Sequence, residues 1–198
     1  MAKVTRNSIN YIFILIQFIT IVALAIDNKM NNVGEVLFVT VLFIGYILLD
    51  KKYFFNVSNY IHICLALVVI VHSLGGKYLN LYFKSPGFDN YLHVFGTYAV
   101  TLFLYSVIKH FMGISFASRI SSFLYVTLLG IGVGAIFELL EFTVDIMIKP
   151  SIHNQQDLID TNLDMISNLI GSLIAAFHIS FIGNKLHSPE SEKNSESR

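Results

Sequence analysis

The sequence predicts an all-α, polytopic membrane protein of about six transmembrane helices. Hydrophobic residues make up 55% of the 198 residues and charged residues only 13%, against roughly 25% charged residues in soluble domains. Six apolar stretches approach the roughly 20 residues that a helix needs to cross the hydrocarbon core. They are residues 9–26, 33–49, 60–74, 91–108, 123–148 and 163–182. We therefore expect residues 1–182 to form one multi-pass domain in a bacterial inner or plasma membrane.

The first stretch has some features of a signal peptide. Lys3 and Arg6 precede it, and it ends in Ala23-Leu24-Ala25, which resembles a cleavage site. However, its apolar core of about 17 residues is long for a signal peptide, and five further apolar stretches follow. We therefore expect an uncleaved first transmembrane helix.

The second and third stretches are short for membrane spans. Lys51 and Lys52 follow the second stretch, and their long side chains can reach the interface from inside the apolar region. We count both stretches as spans. The fourth span is expected to start with Ser85 as N-cap and Pro86 as the first helical residue.

The fifth stretch has about 26 residues, or roughly 39 Å of helix, so this helix should tilt or project from the bilayer. It ends at Lys149 and Pro150. Before the sixth span, Asp157 and Asp160 are suited to capping the helix, which is the alternative to a role in a functional site. The polar residues 183–198 predict a disordered cytoplasmic tail.

The distribution of lysine and arginine predicts that both termini lie in the cytoplasm. With the N-terminus inside, nine of these residues fall on the cytoplasmic side and four on the outer side, and cytoplasmic loops usually carry the excess. The four outer residues are Lys29, Lys77, Lys84 and Lys149.

Two classes of function are disfavoured by composition. No basic arm indicates a nucleic-acid partner, so membrane lipid is the expected partner. The single cysteine, Cys64, lies in an apolar run and can form neither an intramolecular disulfide nor a cysteine metal site. We interpret Cys64 as a packing residue.

Acidic residues gather at the predicted outer end of the last three spans. Seven of the thirteen lie there, and helical spacing places most of them on one face of each helix. These polar faces are Asp89 and His93 on the fourth span, Glu138, Glu141 and Asp145 on the fifth, and Asp157, Asp160, Asp164 and Asn168 on the sixth. We expect the three faces to meet.

Small residues on the same spans permit such close packing. They are Gly96, Gly130, Gly132, Gly134 and Gly171. The three alternating glycines of the fifth span are therefore interpreted as helix packing, because a nucleotide-binding loop would need a preceding strand.

A carboxylate near the centre of a bilayer needs shelter. Glu138 lies eleven residues before Lys149, which is roughly 16 Å along the helix and close to the middle of a hydrocarbon core about 30 Å thick. Inserting such a group costs about 2.5 to 3.5 kcal/mol, and clustered carboxylates repel one another. These groups are expected to face protein, water or a bound cation.

Oxygen ligands together with one imidazole suit Mg²⁺, Mn²⁺ or Zn²⁺, so we predict a divalent-cation site. The predicted metal ligands are Asp89, His93, Glu138, Glu141, Asp160 and Asp164. The predicted catalytic residues are Glu138, Glu141, His93 and Asp164, with Asn168 and Asp145 in supporting roles. A structural histidine is the alternative interpretation of His93.

These residues also resemble a known family. The matching motifs are Asp89-x-x-x-His93, Glu138-x-x-Glu141-Phe142 and Asp160-Thr161-x-x-Asp164-x-x-x-Asn168-x-x-Gly171. Over roughly residues 60–182, the chain resembles the YjdF-like family of predicted bacterial membrane proteins, which implies a fold and a site but no reaction. A more distant similarity is to VanZ-like proteins, which are associated with teicoplanin resistance. Those proteins tend to carry an arginine before the final aspartate, where this chain has only Lys149.

Three functions fit the sequence. The first is an envelope enzyme that acts on a lipid or lipid-linked substrate with a divalent cation. The second is a small transporter that uses the acids as a proton or cation relay, although the polar faces are confined to the outer half. The third is a non-catalytic scaffold held by interhelical hydrogen bonds, each of which contributes only about 0.6 kcal/mol on average.

Overall fold

The protein is described here by a computed structural model that covers residues 2–55, 57–148, 155 and 157–182. In these ranges the regular structure is helical. The helices are α1 (Ala2–Ile26), α2 (Met30–Tyr53), α3 (Asn59–Ile70) with its π-helical continuation (Val71–Tyr78), α4 (Leu81–Lys84), α5 (Phe88–Met112), α6 (Arg119–Ile148), and α7 (Leu158–Phe177) with a π-helical continuation (His178–Ile182). The predicted tail, residues 183–198, and the Lys149-Pro150 helix stop lie outside the described residues.

Six helices within the described ranges are long and apolar enough to cross a membrane, which confirms the predicted fold class. They are Arg6–Ile26, Met30–Tyr53, Asn59–Tyr78, Phe88–Met112, Arg119–Met147 and Leu158–Ile182. Large apolar side chains such as Tyr11, Phe38 and Leu128 are exposed on their outer surfaces. Such surfaces suit contact with lipid tails.

The predicted start of the fourth span is wrong. Helix α5 begins at Phe88, and its N-cap is Gly87 in the left-handed conformation, with φ of 78°. Ser85 is used differently, because its backbone N–H donates to the Leu81 carbonyl at the end of the short helix α4. Helix α4 has only four residues, too few to show a helical pattern in the sequence.

The predicted cap of the sixth span is present. Helix α7 begins at Leu158, and Oδ1 of Asp157 accepts hydrogen bonds from the backbone N–H groups of Ile159 (2.7 Å) and Asp160 (2.9 Å). This cap satisfies N–H groups that have no partner within the helix.

The six spans form two groups of three. Helices α5, α6 and α7 pack against one another, α1, α2 and α3 form the other group, and α3 also packs against α5. A core cluster where α3, α5, α6 and α7 meet contains buried Cys64, Tyr98, Leu102 and Ala175. Cys64 is thus a packing residue, as predicted.

Three of the predicted packing glycines lie at close helix contacts. A Cβ atom on Gly134 would come within 2.5 Å of Asn168 Cβ, one on Gly130 would come within 2.5 Å of Ser172 Oγ, and one on Gly171 would collide with the Val94 carbonyl oxygen. Among the described residues, no neighbouring side chain or helix comes within 4 Å of the Cβ position of Gly132. The packing interpretation is therefore wrong for this residue, which points away from the partner helices.

The first three helices are joined by a polar network. The Arg6 guanidinium pairs with Asp50 (3.2 Å) and donates to Tyr46 Oη (2.9 Å). Tyr46 Oη lies 2.9 Å from His62 Nδ1, and His62 Nε2 lies 2.6 Å from Asn10 Oδ1. His62 therefore has partners on both ring nitrogens and holds α1, α2 and α3 together.

We predict that Gly171→Ala lowers the stability of the bundle by about 1 to 3 kcal/mol, because the added methyl group would push α7 away from the backbone of α5. Thermal unfolding of the detergent-purified protein measures this effect. Gly132→Ala is the matched control and should unfold at the same or a higher temperature, since its methyl group meets no neighbour. Equal unfolding temperatures for the two variants would contradict the packing.

Candidate functional site

The predicted polar faces of the last three spans meet around the imidazole of His93. Asp89 lies in the first turn of α5, and His93 follows one turn later on the same face. Helix α6 contributes Glu138 and Glu141, and α7 contributes Asp164. Because α5, α6 and α7 pack together, carboxylates that are distant in sequence surround one side chain. We call these five residues the His93 site.

Three carboxylates face one nitrogen of the ring. His93 Nε2 lies 3.6 Å from Asp89 Oδ1, 3.8 Å from Asp164 Oδ1 and 4.0 Å from Glu141 Oε1. The fourth carboxylate is on the other side, where Glu138 Oε1 lies 3.6 Å from Nδ1. The two faces of the site are therefore chemically different.

Asn168 determines the orientation of the ring. Its Nδ2 donates to Glu138 Oε1 (3.2 Å), and its Oδ1 accepts from Thr97 Oγ1 (2.6 Å) and lies 3.2 Å from His93 Nδ1. Because an amide oxygen can only accept, Nδ1 must carry the hydrogen. In the neutral ring, Nε2 then presents its lone pair to Asp89, Glu141 and Asp164.

Two further side chains complete the site. Asn90 Nδ2 donates to Asp164 Oδ1 (3.0 Å), and Gln155 Nε2 donates to the backbone oxygen of Glu138 (3.0 Å) and to its Oε2 (3.3 Å). Sequence reasoning missed Asn90, Thr97 and Gln155. Thr97 follows His93 by four residues, so helical spacing contained a signal for it. Gln155 lies between helices, where no periodicity exists.

Burial differs across the site. Glu138, Asp164 and Asn168 are buried, whereas Asp89 and Glu141 are half-buried. The half-buried carboxylates form the side from which a ligand can reach Nε2.

Two of the predicted residues lie at the edge of the site. Asp145 Oδ2 accepts the backbone N–H of Gln155 (2.9 Å), and thus supports the residue that contacts Glu138. Asp160 belongs to neither group of side chains that is compact enough to hold an ion. Its backbone N–H is bonded to the Asp157 cap.

The site residues fit a divalent cation. Two overlapping groups have ligand atoms within 4.8 Å of one another: Asp89, His93 and Asp164, and His93, Glu138 and Glu141. Ligands of one Zn²⁺ ion lie at most roughly 4.4 Å apart, given metal–ligand bonds near 2.0 to 2.2 Å. The separations of 3.6 and 3.8 Å between Nε2 and the Asp89 and Asp164 carboxylates are therefore compatible with a shared ion.

A cavity of about 660 Å³ adjoins the site, with walls from α2, α3, α5 and α6. Asp89, His93 and Glu141 line its polar end, and Val39, Leu42, Phe43, Leu65, Val69, Val100 and Phe103 line its apolar part. The polar groups lie near the first turns of α5 and the end of α6, and the apolar part extends toward the middle of the helices. The cavity is therefore amphipathic.

A second set of polar groups lies on the α2–α3 wall of the cavity. Lys77 forms an ion pair with Glu35, and His72 Nδ1 lies 2.7 Å from Tyr82 Oη. Burial raises the pKa of Tyr82 well above its ordinary value, and the charges of Asp89 and Glu141 add to this effect. The Tyr82 hydroxyl therefore stays protonated and forms a hydrogen bond with His72. Its ring occupies the space where a side chain on Gly76 would lie.

Comparison with known proteins agrees with the YjdF-like resemblance. An uncharacterised protein of Thermotoga maritima is 35% identical over 108 residues, which are 52% of this chain and 53% of that protein. The chain thus matches about half the length of this relative. No solved structure shows significant similarity. The similarity to VanZ-like proteins stays a prediction.

The model of the family described as "Predicted membrane protein (DUF2238)" matches residues 9–185. Because the match covers most of the chain, the protein belongs to this family of predicted membrane proteins.

Proposed function

We propose that this protein is an enzyme of the bacterial plasma membrane that acts on a lipid or lipid-linked substrate with a divalent cation held by the His93 site. The observation that carries the proposal is the position of His93 Nε2, which faces three carboxylates at the polar end of an amphipathic cavity. Membrane enzymes of this kind need a charged site that a lipid can reach, and the cavity supplies the route.

The charge of the site supports a bound cation. Four carboxylates surround one imidazole, which offers at most one positive charge. Among the described residues, no lysine or arginine lies within ion-pair distance of these four carboxylates. Uncompensated buried charges are costly, and a divalent cation provides the missing positive charge.

The proposed roles follow from the two faces of the ring. Asp89, Asp164 and His93 Nε2, which form one of the two compact groups, hold the cation, and Asn168 orients the ring through Nδ1. When bound, the cation would polarise a phosphoryl or carbonyl oxygen or activate a water molecule. Glu141, which lines the cavity, is the candidate general acid or base, and Glu138 holds Asn168 in place from the other side of the ring.

We predict that the purified protein contains stoichiometric Mg²⁺, Mn²⁺ or Zn²⁺, and that His93→Gln and Asp164→Asn lose it. Glu138→Gln should weaken metal binding by about 10- to 100-fold, as expected when a residue that orients a ligand is altered. Elemental analysis and metal titration measure these changes. Asp157→Asn is the control, since Asp157 caps α7 without joining the site, and should retain the metal. A metal-free wild-type protein would refute the proposal.

We predict that Glu141→Gln unfolds at the same or a higher temperature than wild type in EDTA, because one of four mutually repelling carboxylates is neutralised. Asp50→Asn should instead unfold at a lower temperature than wild type, since it breaks the ion pair with Arg6. With metal added, wild type should gain more thermal stability than Glu141→Gln. If Glu141→Gln is strongly destabilised in EDTA, its carboxylate is a scaffold element and not part of a cation site.

An ion-coupled carrier is the second candidate, because the cavity reaches beyond the His93 site. Tyr46 lines the same cavity and is bonded to Arg6 and His62 in the network that joins α1, α2 and α3. The wall between Tyr46 and His93 is nevertheless largely apolar, with Phe43, Val69 and Val100 among its residues. This wall favours a lipid chain over a path for ions.

Proteoliposomes separate the two candidates. For an enzyme, we expect that an imposed pH gradient drives no proton flux above that of the His93→Gln variant, which lacks the imidazole of the site. Internal pH is followed with an entrapped indicator dye. Proton flux that requires His93 would favour the carrier.

A further inference from the structure

We infer that the cavity binds a phosphate-bearing lipid that enters sideways from the bilayer between α2 and α6, with its apolar chain against α2, α3 and α5 and its phosphate between Lys77 and the His93 site. This inference rests on the proposed function and names the class of substrate. Three observations carry it: the position of the opening, the nature of the walls, and the placement of Lys77.

Two side chains that line the cavity are also exposed on the outer surface of the bundle, which places an opening on its lipid-facing side. Leu42 lines the cavity and is 57% exposed, and Phe137 on α6 lines it and is 40% exposed. Leu42 is twelve residues into the 24-residue helix α2, at the level of the hydrocarbon core. A cavity that opens at this depth exchanges its contents with lipid tails rather than with water.

The distribution of apolar and polar residues along the cavity walls favours an extended lipid chain over a compact solute. The apolar residues extend from Val39 on α2 to Phe103 on α5, and the polar groups are concentrated at the other end. The volume of about 660 Å³ lies within the roughly 300 to 1,000 Å³ of sites that hold one small ligand. One apolar chain with a polar headgroup matches this distribution.

Lys77 indicates an anionic headgroup. Among the described residues that line the cavity, Lys77 is the one lysine or arginine. Its side chain is largely buried, and its ammonium group is paired with Glu35. His93 lies on the α5 wall, and the cation proposed there would add a second positive charge. A phosphate suits a position between these charges, because lysine binds phosphate as a point charge and divalent cations bind phosphate oxygens.

The test is binding of hexadecyl phosphate to the full chain in non-ionic detergent, measured by calorimetry with Mn²⁺ or with EDTA. With Mn²⁺ we expect hexadecyl phosphate to bind at least about tenfold more tightly than hexadecanol, because a hydrogen bond to a charged group contributes this much. EDTA should remove this preference, since the phosphate then faces uncompensated carboxylates. Inorganic phosphate should fail to compete at equal concentration, which distinguishes a lipid headgroup from free phosphate. Equal affinities for hexadecyl phosphate and hexadecanol would overturn the inference, as would full competition by inorganic phosphate.

Variants on the α2–α3 wall test the contact with the headgroup. Lys77→Gln should weaken hexadecyl phosphate binding about tenfold, and Lys77→Arg should restore most of it. Lys84→Gln is the matched control, because Lys84 is exposed at the same end of the bundle and does not line the cavity. Glu35→Gln releases Lys77 from its ion pair and should bind equally or more tightly. Equal weakening by Lys77→Gln and Glu35→Gln would show that the pair is structural and would overturn the role of Lys77.

Variants at the opening test the route. Leu42→Trp should slow or block binding of hexadecyl phosphate, because the larger side chain fills the opening. Val41→Trp is the control, since Val41 is 62% exposed and does not line the cavity. Unchanged binding in Leu42→Trp would overturn the lateral route.

The metal content of every sample separates this inference from the proposed function. If wild type holds the metal but shows no preference for hexadecyl phosphate, the choice of substrate is wrong and the metal site stands. If wild type holds no metal, the proposed function and this inference fail together. Lys77→Gln should retain the metal, because Lys77 is not a ligand in either group.

Discussion

The structure depends on the cost of placing ionisable carboxylates inside a membrane-spanning bundle. Water cannot solvate Glu138 and Asp164 at their buried positions. Glu138 instead accepts hydrogen bonds from Asn168 and Gln155, and Asp164 accepts one from Asn90. This requirement explains why α5, α6 and α7 pack closely, with glycines at the contacts beside Asn168, Ser172 and Val94. Close packing of these helices and hydrogen bonding of their buried polar groups therefore depend on each other, since a wider separation of the helices would break the hydrogen bonds through Asn168.

The other three helices have a different task. The Arg6–Tyr46–His62 network and the core around Phe13 and Phe43 hold them as a separate unit. The two groups meet mainly through α3 and α5, and a chain from Tyr60 through Tyr98 to His178, with oxygen–oxygen and oxygen–nitrogen distances of 2.7 and 2.6 Å, reinforces this seam. The cavity lies where the groups diverge. The arrangement thus places a charged site and an apolar cavity side by side.

Much of this architecture was predictable from sequence. Six spans follow from apolar length, and the convergence of Asp89, His93 and Asp164 follows from helical spacing combined with the cost of intramembrane charge. The cavity was not predictable, because it arises from the way α2 diverges from α5 and α6, which periodicity does not encode. Helix α4 and Gln155 were missed for a related reason: their positions depend on tertiary contacts, and neither belongs to a repeating pattern. The predicted orientation in the membrane stays a prediction.

The contact between Tyr82 and Gly76 has a consequence for variation within the family. The aromatic ring lies where a methyl group on residue 76 would have to fit, and the same ring carries the hydroxyl that meets His72. A relative that acquires a side chain at position 76 must therefore reduce the residue at position 82 or displace the short helix that carries it. The two positions are expected to change together over evolution, and a paired substitution would mark a relative whose cavity has a different shape.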